Sequence, residues 1–274
     1  MKQHVTSSLS KAFGKFASKK HSLAVQNLIN RTYVSMMGLD MSDFKASESY
    51  ETLNALFTRH LNEPRQFDQD PKIMISPCDS FVTEAGSIEK TRALQIKGMS
   101  YDINAFLGEH ISEADKSRLI DGEYINFYLS PRDYHRYHVP LDMEVTKAIH
   151  IPGKLYPVNI PTLKRKVDLF IENERVVLEC KSIDGKLFYL VLVGALNVGK
   201  MVVSFEPRIN TNSDSLGGVY QYDNLHLSKG DDFGCFMMGS TIILLAEKGM
   251  ITPNVRVGES VRFSQEIARI NEKR

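Results

Sequence analysis

A serine that directly follows a glycine, just before an apolar run, is the first feature of this sequence that could support chemistry. Gly239 and Ser240 precede residues 242–246, which read Ile-Ile-Leu-Leu-Ala. Glycine permits positive φ and leaves its carbonyl open to attack, and a buried strand after the serine would hold the hydroxyl in place. With a base nearby, Ser240 could cut the Gly239–Ser240 bond itself. The same residues are also typical of an ordinary loop that enters a strand.

Imidazole groups are concentrated in residues 129–140, which read Leu-Ser-Pro-Arg-Asp-Tyr-His-Arg-Tyr-His-Val-Pro. His135 and His138 could form a metal pair, but zinc normally needs three protein ligands or more, and no further ligand has a recognisable spacing. We therefore predict no metal site. The Ser-Pro and Val-Pro turns favour a shaped surface loop, where functional groups concentrate. The alternative is a pair of core histidines satisfied by hydrogen bonds.

An acidic side chain, Asp79, lies in a Ser-Pro-Cys-Asp-Ser-Phe turn that leads into a predicted strand. Such an aspartate often only caps backbone amides. Together with His138 and Ser240 it would complete an acid, an imidazole and a hydroxyl, a set that is recognised by geometry and not by chain order. The Gly-x-Ser-x-Gly elbow of many hydrolases is absent. Well-oriented intramolecular attack has effective molarities on the order of 10⁵–10⁸ M, so the nearest electrophile for Ser240 is the Gly239 carbonyl.

The N-terminal region, residues 1–65, is predicted to be helical from the spacing of its apolar residues. Its first helix has Phe13 and Phe16 on one face and lysines elsewhere, and no Asp or Glu occurs in residues 1–39. A basic amphipathic helix of this kind either lies on an anionic membrane or packs on the protein with a solvated basic face. The predicted helices span residues 8–20, 22–37 and 47–60.

Residues 66–274 are predicted to be a second, β-rich domain. Short β-branched and aromatic stretches alternate there with Gly, Pro, Asp and Asn, which indicates an antiparallel sandwich or barrel-like fold. The fold class is therefore α+β. The predicted strands are 80–84, 93–96, 124–129, 144–151, 175–182, 186–196, 200–205 and 241–246; short helices are predicted at 102–108 and 112–119, and a mobile loop at 207–225.

Composition excludes several classes of protein. The net charge of +1 gives no general nucleic-acid signal. The three cysteines are widely separated, without a Cys-x-x-Cys pair, so neither a disulfide framework nor a cysteine zinc site is indicated. No apolar run approaches the roughly 18 residues of a spanning helix, and no signal peptide is recognisable.

At these motifs the sequence resembles the phosphatidylserine decarboxylase proenzymes, a pyruvoyl-dependent family of membrane-associated bacterial enzymes. The resemblance covers nearly the whole chain, and the Tyr-His-Arg-Tyr-His block is its most diagnostic part. Other matching segments are the basic helical N-terminus, the Pro-Cys-Asp turn, Ile-Pro-Gly-Lys-Leu at 151–155, Val-Leu-Val-Gly-Ala at 191–195 and the Gly-Ser-Thr at 239–241.

The resemblance implies that the chain is a zymogen that cuts itself at Gly239–Ser240. Asp79, His138 and Ser240 would form the self-cleavage triad, with His138 as the base and Asp79 fixing the imidazole tautomer. Ser240 would become a pyruvoyl group, the only cofactor, which forms a Schiff base with the substrate amine. His135 would position the substrate and supply the proton that replaces carbon dioxide.

The resemblance also implies partners and a location. The large chain (1–239) and the small chain (240–274) would stay together as a heterodimer, and a dimer of such heterodimers is compatible with it. The enzyme would act peripherally on phosphatidylserine at the cytoplasmic face of the cell membrane, without nucleic acid. Two alternatives stay open: a hydrolase that uses the same triad on an external ester or amide, and a non-enzymatic lipid-binding β-domain.

Overall fold

A computed structural model describes residues 14–96, 98–196, 200–237 and 240–272 of the chain. Antiparallel strands dominate, with short helices, so the predicted α+β class is confirmed. The helices are α1 (Leu23–Met37), α2 (Leu53–Phe57), α3 (Ile103–Leu107), α4 (Glu113–Arg118), α5 (Ile160–Leu163) and α6 (Leu169–Glu172), with a 3-10 turn at Ser47–Ser49. The strands are β1 (Ile73–Ile75), β2 (Ser80–Ser87), β3 (Arg92–Ile96), β4 (Met99–Asp102), β5 (Glu123–Leu129), β6 (Arg136–His138), β7 (Met143–Ile151), β8 (Arg175–Ser182), β9 (Leu187–Val193), β10 (Met201–Val203), β11 (Gly218–Leu227), β12 (Asp232–Phe236), β13 (Ser240–Ala246), β14 (Ile251–Pro253), β15 (Ser260–Val261) and β16 (Glu266–Ile270).

The largest sheet has eight antiparallel strands in the order β11-β7-β8-β9-β13-β5-β2-β15. Strand β13 lies inside this sheet, paired with β9 on one side and with β5 on the other. Two smaller sheets, β1-β16-β14 and β10-β12-β6, and the β3-β4 hairpin complete the strands of the described residues. The predicted strand after Ser240 is therefore an internal strand of the main sheet.

Both faces of the main sheet are covered by apolar side chains. Along β13, Ile242 and Leu244 belong to one buried cluster, whereas Ile243 and Leu245 belong to the other. The first cluster includes residues of the two smaller sheets, and the second includes residues of α3 and α6. Successive side chains of a strand point to opposite faces, so a continuous apolar run such as 242–246 is expected where both faces are buried.

Each predicted strand has a counterpart in the structure, most of them within a few residues of the expected bounds. The prediction of a mobile loop at 207–225 was wrong in its second half, because residues 218–227 form β11. This strand lies at the edge of the main sheet and, among the described strands, pairs with β7 alone. An edge strand has its outer side and much of its surface in solvent, so it tolerates the polar residues that were taken for a loop.

The N-terminal region contains helices, as predicted, although with different bounds. Residues 14–18 are helical, and the rest of the predicted 8–20 helix falls largely outside the described residues. Helix α1 ends at Gly38, whose φ of 63° is the left-handed conformation that favours glycine. The helix predicted at 47–60 is instead a 3-10 turn followed by the short α2. In the described ranges, no helix is long and apolar enough to cross a membrane.

Helix α1 buries polar residues and exposes apolar ones. Gln26 and Asn30 are buried and bonded to each other, and Asn30 also donates to the carbonyls of Ser47 and Tyr50. Leu28 and Met36 on the outer side are 67% and 73% exposed. The inner side also packs Ile29, Tyr33 and Met37 against the residues of α2, so the helix carries apolar residues on both sides, whereas an ordinary surface helix has one apolar stripe facing the core.

Candidate active site

Ser240 is the first residue of β13, opposite Leu129 of β5. Its side chain is fully buried, and its Oγ has no hydrogen-bond partner among the described residues. Gly239, on the other side of the predicted cleavage bond, lies outside the described ranges. The main sheet thus fixes the serine in one place, as expected from the apolar run that follows it.

The two predicted histidines belong to the segment that leaves β5. We call residues 130–135 the histidine loop; His138 follows it at the end of β6. The amide of Phe236, at the end of β12, donates to the His135 carbonyl over 2.9 Å. Since Ser240 pairs with Leu129, the chain before and after the predicted cut is held next to the two ends of this loop.

His135 is fully buried and keeps one nitrogen unbonded. Its Nδ1 donates to the Asp133 carbonyl over 2.8 Å, so a neutral ring carries its lone pair on Nε2. Nε2 is buried and has no partner in the part of the chain described. Burial lowers the pKa of His135 to about 3. The side chain is therefore a neutral imidazole whose Nε2 is unprotonated and unbonded.

His138 has partners at both nitrogens. Nδ1 donates to the Gly230 carbonyl over 2.9 Å, and Nε2 accepts from the Tyr134 hydroxyl over 3.0 Å. Burial lowers the pKa of His138, and the carboxylates of Asp232 and Asp79 oppose this effect. The ring also stacks on Phe263, with centroids 3.6 Å apart.

Asp79 is held next to His138 by the backbone and is bound by an arginine. The His138 amide donates to the Pro77 carbonyl, which ties the turn to the end of β6. The Asp79 carboxylate accepts two bonds from Arg65, of 2.5 and 3.0 Å, and one of 2.8 Å from the Phe263 amide. A bidentate arginine is among the strongest partners available to a carboxylate.

The structure brings Asp79 and His138 together on the two sides of Phe263, although no hydrogen bond joins them. Within the described residues, neither is bonded to Ser240. The Gly230 carbonyl, and not Asp79, fixes the tautomer of His138 in this arrangement. The assignment of the triad stays a prediction, and it requires the Tyr134–His138 bond to be released or to pass on a proton.

Several site residues carried no recognisable signal in the sequence. Arg65 and Phe263 are isolated in the chain and reach Asp79 only through the fold, over 14 and 184 residues. Tyr134 does belong to the dense histidine segment, and that density was the one available indication. Its burial raises its pKa, so its hydroxyl stays protonated and donates to His138.

A cavity of about 540 Å³ opens next to Asp79. Its lining includes Tyr128 and, from the histidine loop itself, Ser130, Arg132, Asp133 and Tyr134. The charged residues of the lining are four arginines and four aspartates: Arg59, Arg65, Arg132, Arg262, Asp40, Asp43, Asp79 and Asp133. Arg65 pairs with Asp43 and Asp79, and Arg262 pairs with Asp43. Within the described ranges, no three His, Cys, Asp or Glu side chains are grouped so as to hold a metal ion.

Comparison with known proteins gives one consistent result. The family model described as phosphatidylserine decarboxylase matches residues 53–269. The chain is 44% identical over 263 residues to a phosphatidylserine decarboxylase proenzyme of Helicobacter pylori, covering 94% of this chain and 97% of that protein. It is 43% identical over 265 residues to the proenzyme of Campylobacter jejuni, with the same coverage. It is 34% identical over 269 residues to that of Coxiella burnetii, covering 96% and 94% of the two chains.

The chain has an antiparallel α+β fold with a buried serine at the start of an internal strand. It matches these proenzymes along nearly its whole length. The chain belongs to the phosphatidylserine decarboxylase family. The resemblance inferred from the sequence motifs is confirmed.

Proposed function

We propose that this chain decarboxylates phosphatidylserine to phosphatidylethanolamine, using a pyruvoyl group that it makes from Ser240 by cutting the Gly239–Ser240 bond. The observation that carries the proposal is the Ser240 hydroxyl, buried and without a partner among the described residues. Leaving a buried hydroxyl unbonded costs about 1–3 kcal/mol. Since Ser80, Thr83, Ser130 and Thr241 are also unbonded within the described ranges, it is the position of Ser240 opposite Leu129, where the histidine loop begins, that gives this hydroxyl its weight. The family and the name proenzyme of its relatives support the same conclusion.

In this proposal Asp79, His138 and Ser240 perform the self-cleavage. His138 takes the proton of Ser240 Oγ, which attacks the Gly239 carbonyl, and the acyl group moves from nitrogen to oxygen. Loss of the Ser240 Cα proton then expels the Gly239 carboxylate. Hydrolysis of the resulting dehydroalanine releases ammonia and leaves a ketoacyl group at residue 240.

The residues around Ser240 fit such a group. Residue 240 is paired with Leu129 of β5, and the next residue, Thr241, is paired with both β5 and β9. The unprotonated Nε2 of His135 belongs to the loop that leaves β5. A pyruvoyl group supplies a carbonyl that condenses with the substrate amine and takes up the electrons left when carbon dioxide departs. His135 positions the substrate. Its bare Nε2 first takes up the proton that the substrate ammonium must lose before it condenses with that carbonyl, and then returns this proton to the carbon that has lost carbon dioxide.

Arg132, in the lining of the cavity beside Asp79, is suited to bind an anionic headgroup. Arg65 and Arg262 are paired with aspartates, whereas Arg132 is 68% exposed and lies 4.0 Å from Asp133. Guanidinium groups bind phosphate and carboxylate in a bidentate manner. A phosphatidylserine headgroup offers both.

The exposed face of α1 supports peripheral binding to the cytoplasmic face of the cell membrane. Val25, Leu28 and Met36 recur at helical spacing on the side opposite Asn30. Exposed apolar side chains gathered on one helix indicate an interaction surface. Lysines at 2, 11, 15, 19 and 20, unbalanced by acids up to residue 39, would add attraction to anionic lipids.

Intact-mass measurement of the purified protein tests the proposal directly. We expect two chains, 1–239 and 240–274, the smaller one blocked at its amino end by a ketoacyl group that borohydride reduces. Ser240→Ala should give one uncut chain without decarboxylase activity. An active wild-type protein with one intact chain and no trapping by borohydride would refute the proposal.

Two other outcomes would indicate the alternative functions. An uncut chain that is labelled by serine-directed phosphonates would indicate a hydrolase. Vesicle binding without any covalent change would indicate a lipid-binding domain.

The two histidines should separate by function. His138→Ala is expected to stay uncut because its base is missing. His135→Ala is expected to be cut but to lose decarboxylation by about a hundredfold or more, the usual contribution of a general acid. Denaturing electrophoresis reports the first effect and carbon dioxide release the second. The opposite pattern would reverse the assignment of the two roles.

A further inference from the structure

The N-terminal helices are in direct contact with the histidine loop. The Tyr33 hydroxyl on α1 donates to the Pro131 carbonyl over 3.1 Å. The ring of Phe57, at the end of α2, lies against the ring of His135 with centroids 4.0 Å apart. A region that served only as an anchor would not need to pack on a candidate catalytic side chain.

Arg59, just after α2, binds the same loop through its backbone. The side chain is 2% exposed, and Nη2 donates to the carbonyls of Arg132 and Asp133 over 3.2 and 3.3 Å. The Asp133 carbonyl also accepts from His135 Nδ1 over 2.8 Å. One carbonyl oxygen therefore joins the guanidinium of Arg59 to the imidazole of His135.

The Arg59 charge is buried without a close counter-ion. Among the described residues, no carboxylate lies within ion-pair distance of it, and its guanidinium stacks 4.4 Å from the centroid of Phe44. Burying an unpaired charge is costly, so an arginine that served only for packing would be a poor choice here. A nearby cation disfavours protonation of an imidazole, and Arg59 is the charged side chain that acts on His135 in this way.

We propose that Arg59 is a positioning residue for His135. It holds the Asp133 carbonyl on Nδ1, which leaves the lone pair on Nε2, and its charge adds to the effect of burial in disfavouring protonation of the ring. The N-terminal helical region is then a part of the active site and not only a membrane anchor. The expected effect of Arg59 on decarboxylation rests on the proposed role of His135 in that reaction. Its expected effect on the tautomer and protonation of the His135 ring does not.

The effect of Arg59 on the His135 ring is tested on the uncut Ser240→Ala chain with ¹⁵N-labelled histidine. His135→Gln is used to assign the His135 signal. NMR of the parent chain should show His135 neutral, with a protonated Nδ1 and a bare Nε2, down to low pH. In Arg59→Gln we expect a mixture of tautomers and titration at higher pH. Arg31→Gln is the matched control, because Arg31 is exposed on α1 and pairs with Glu48. A His135 signal unchanged in Arg59→Gln would overturn the proposal.

Activity is measured on the chain that retains Ser240. Arg59→Gln should cut itself normally but lose kcat by about tenfold or more, as expected when a reacting group is misplaced. Arg59→Lys keeps the charge but loses the planar fork, so a smaller loss of kcat is expected.

If Arg59→Gln does not fold, Arg59→Lys provides the test. Wild-type kcat and an unchanged His135 signal in folded Arg59→Lys would then refute the proposal. Absence of cleavage and turnover in the wild type would refute the proposed function alone, since the NMR test needs neither.

Discussion

His135 and His138 are three residues apart, yet their surroundings give them opposite properties. His138 has both nitrogens bonded, one of them to Tyr134. His135 has one nitrogen bonded to a backbone carbonyl and the other free in a buried environment. The sequence could predict that this segment matters, because its density of imidazole, guanidinium and phenol groups is unusual. It could not predict which nitrogen is free, since that depends on Gly230, Tyr134 and Asp133 as placed by the fold.

Burial of His135 makes stability depend on pH. Its pKa is about 3 in the folded protein and near 6.5 in an unfolded chain. Between these values the unfolded state binds more protons, so the free energy of unfolding falls as the pH falls from about 6.5 towards 3, with a slope of up to about 1.4 kcal/mol per pH unit from this group. Above about pH 7 the effect of this group is absent.

We expect His135→Gln to have a flatter dependence of unfolding free energy on pH than its parent. Urea unfolding of the uncut Ser240→Ala chain between about pH 4 and pH 7 measures this. His226→Gln is the control, because His226 is exposed at the surface of β11. Equal slopes for the parent and His135→Gln would show that His135 takes up its proton in the folded state.

At the scale of elements, β13 and α1 show what sequence patterns can and cannot specify. The run Ile-Ile-Leu-Leu-Ala predicted a buried strand, and β13 is covered on both faces. Helix α1 was predicted at nearly its observed bounds, but the direction it faces was not. Of the apolar residues that predicted this helix, Ile29, Tyr33 and Met37 pack against α2, whereas Leu23 and Leu28 are exposed. Apolar periodicity did not indicate this division, because Asn30 occupies part of the inner face through its bonds to the carbonyls of Ser47 and Tyr50.

If the outer face of α1 docks on lipid, a charge placed there should weaken binding. We expect Leu28→Glu and Met36→Glu to lower affinity for vesicles that contain anionic phospholipid, since a carboxylate disfavours both burial in the interface and approach to negative headgroups. Co-sedimentation with vesicles measures the affinity. Denaturing electrophoresis should show that self-cleavage of both variants is unchanged.

Leu216→Glu is the matched control, because Leu216 is 98% exposed and lies outside the N-terminal region. It should bind vesicles as the wild type does. Removal of residues 1–20 should also weaken binding, and high salt should weaken it further by screening the lysines. Full binding by both glutamate variants would exclude α1 as the docking face.

At the scale of the whole molecule, the segment after Ser240 is built into the rest of the protein. It supplies β13 to the middle of the main sheet, β15 to its edge, and β14 and β16 to the small sheet that includes β1. Phe263 from this segment stacks on His138 and binds Asp79. The predicted division at residue 65 remains a prediction, while the contacts of Tyr33, Phe57 and Arg59 with the histidine loop show how closely the two parts are joined.

The two chains produced by the proposed cut should therefore stay together. Strand β13 keeps its backbone pairing with β5 and β9 regardless of the bond before Ser240. Size-exclusion chromatography and native mass spectrometry should give one species that contains both chains, and only denaturant should separate them. Recovery of free residues 240–274 under native conditions would contradict this expectation.

The central position of β13 also sets the order of events during biosynthesis. Ser240 follows both of its partner strands in the chain, so it cannot be seated between β5 and β9 until the ribosome has made them and they have folded. If Ser240 performs the proposed cleavage, a nascent or misassembled polypeptide should therefore stay uncut. The fraction of cleaved material in a cell extract would then serve as a built-in gauge of how much of the protein has reached its native arrangement.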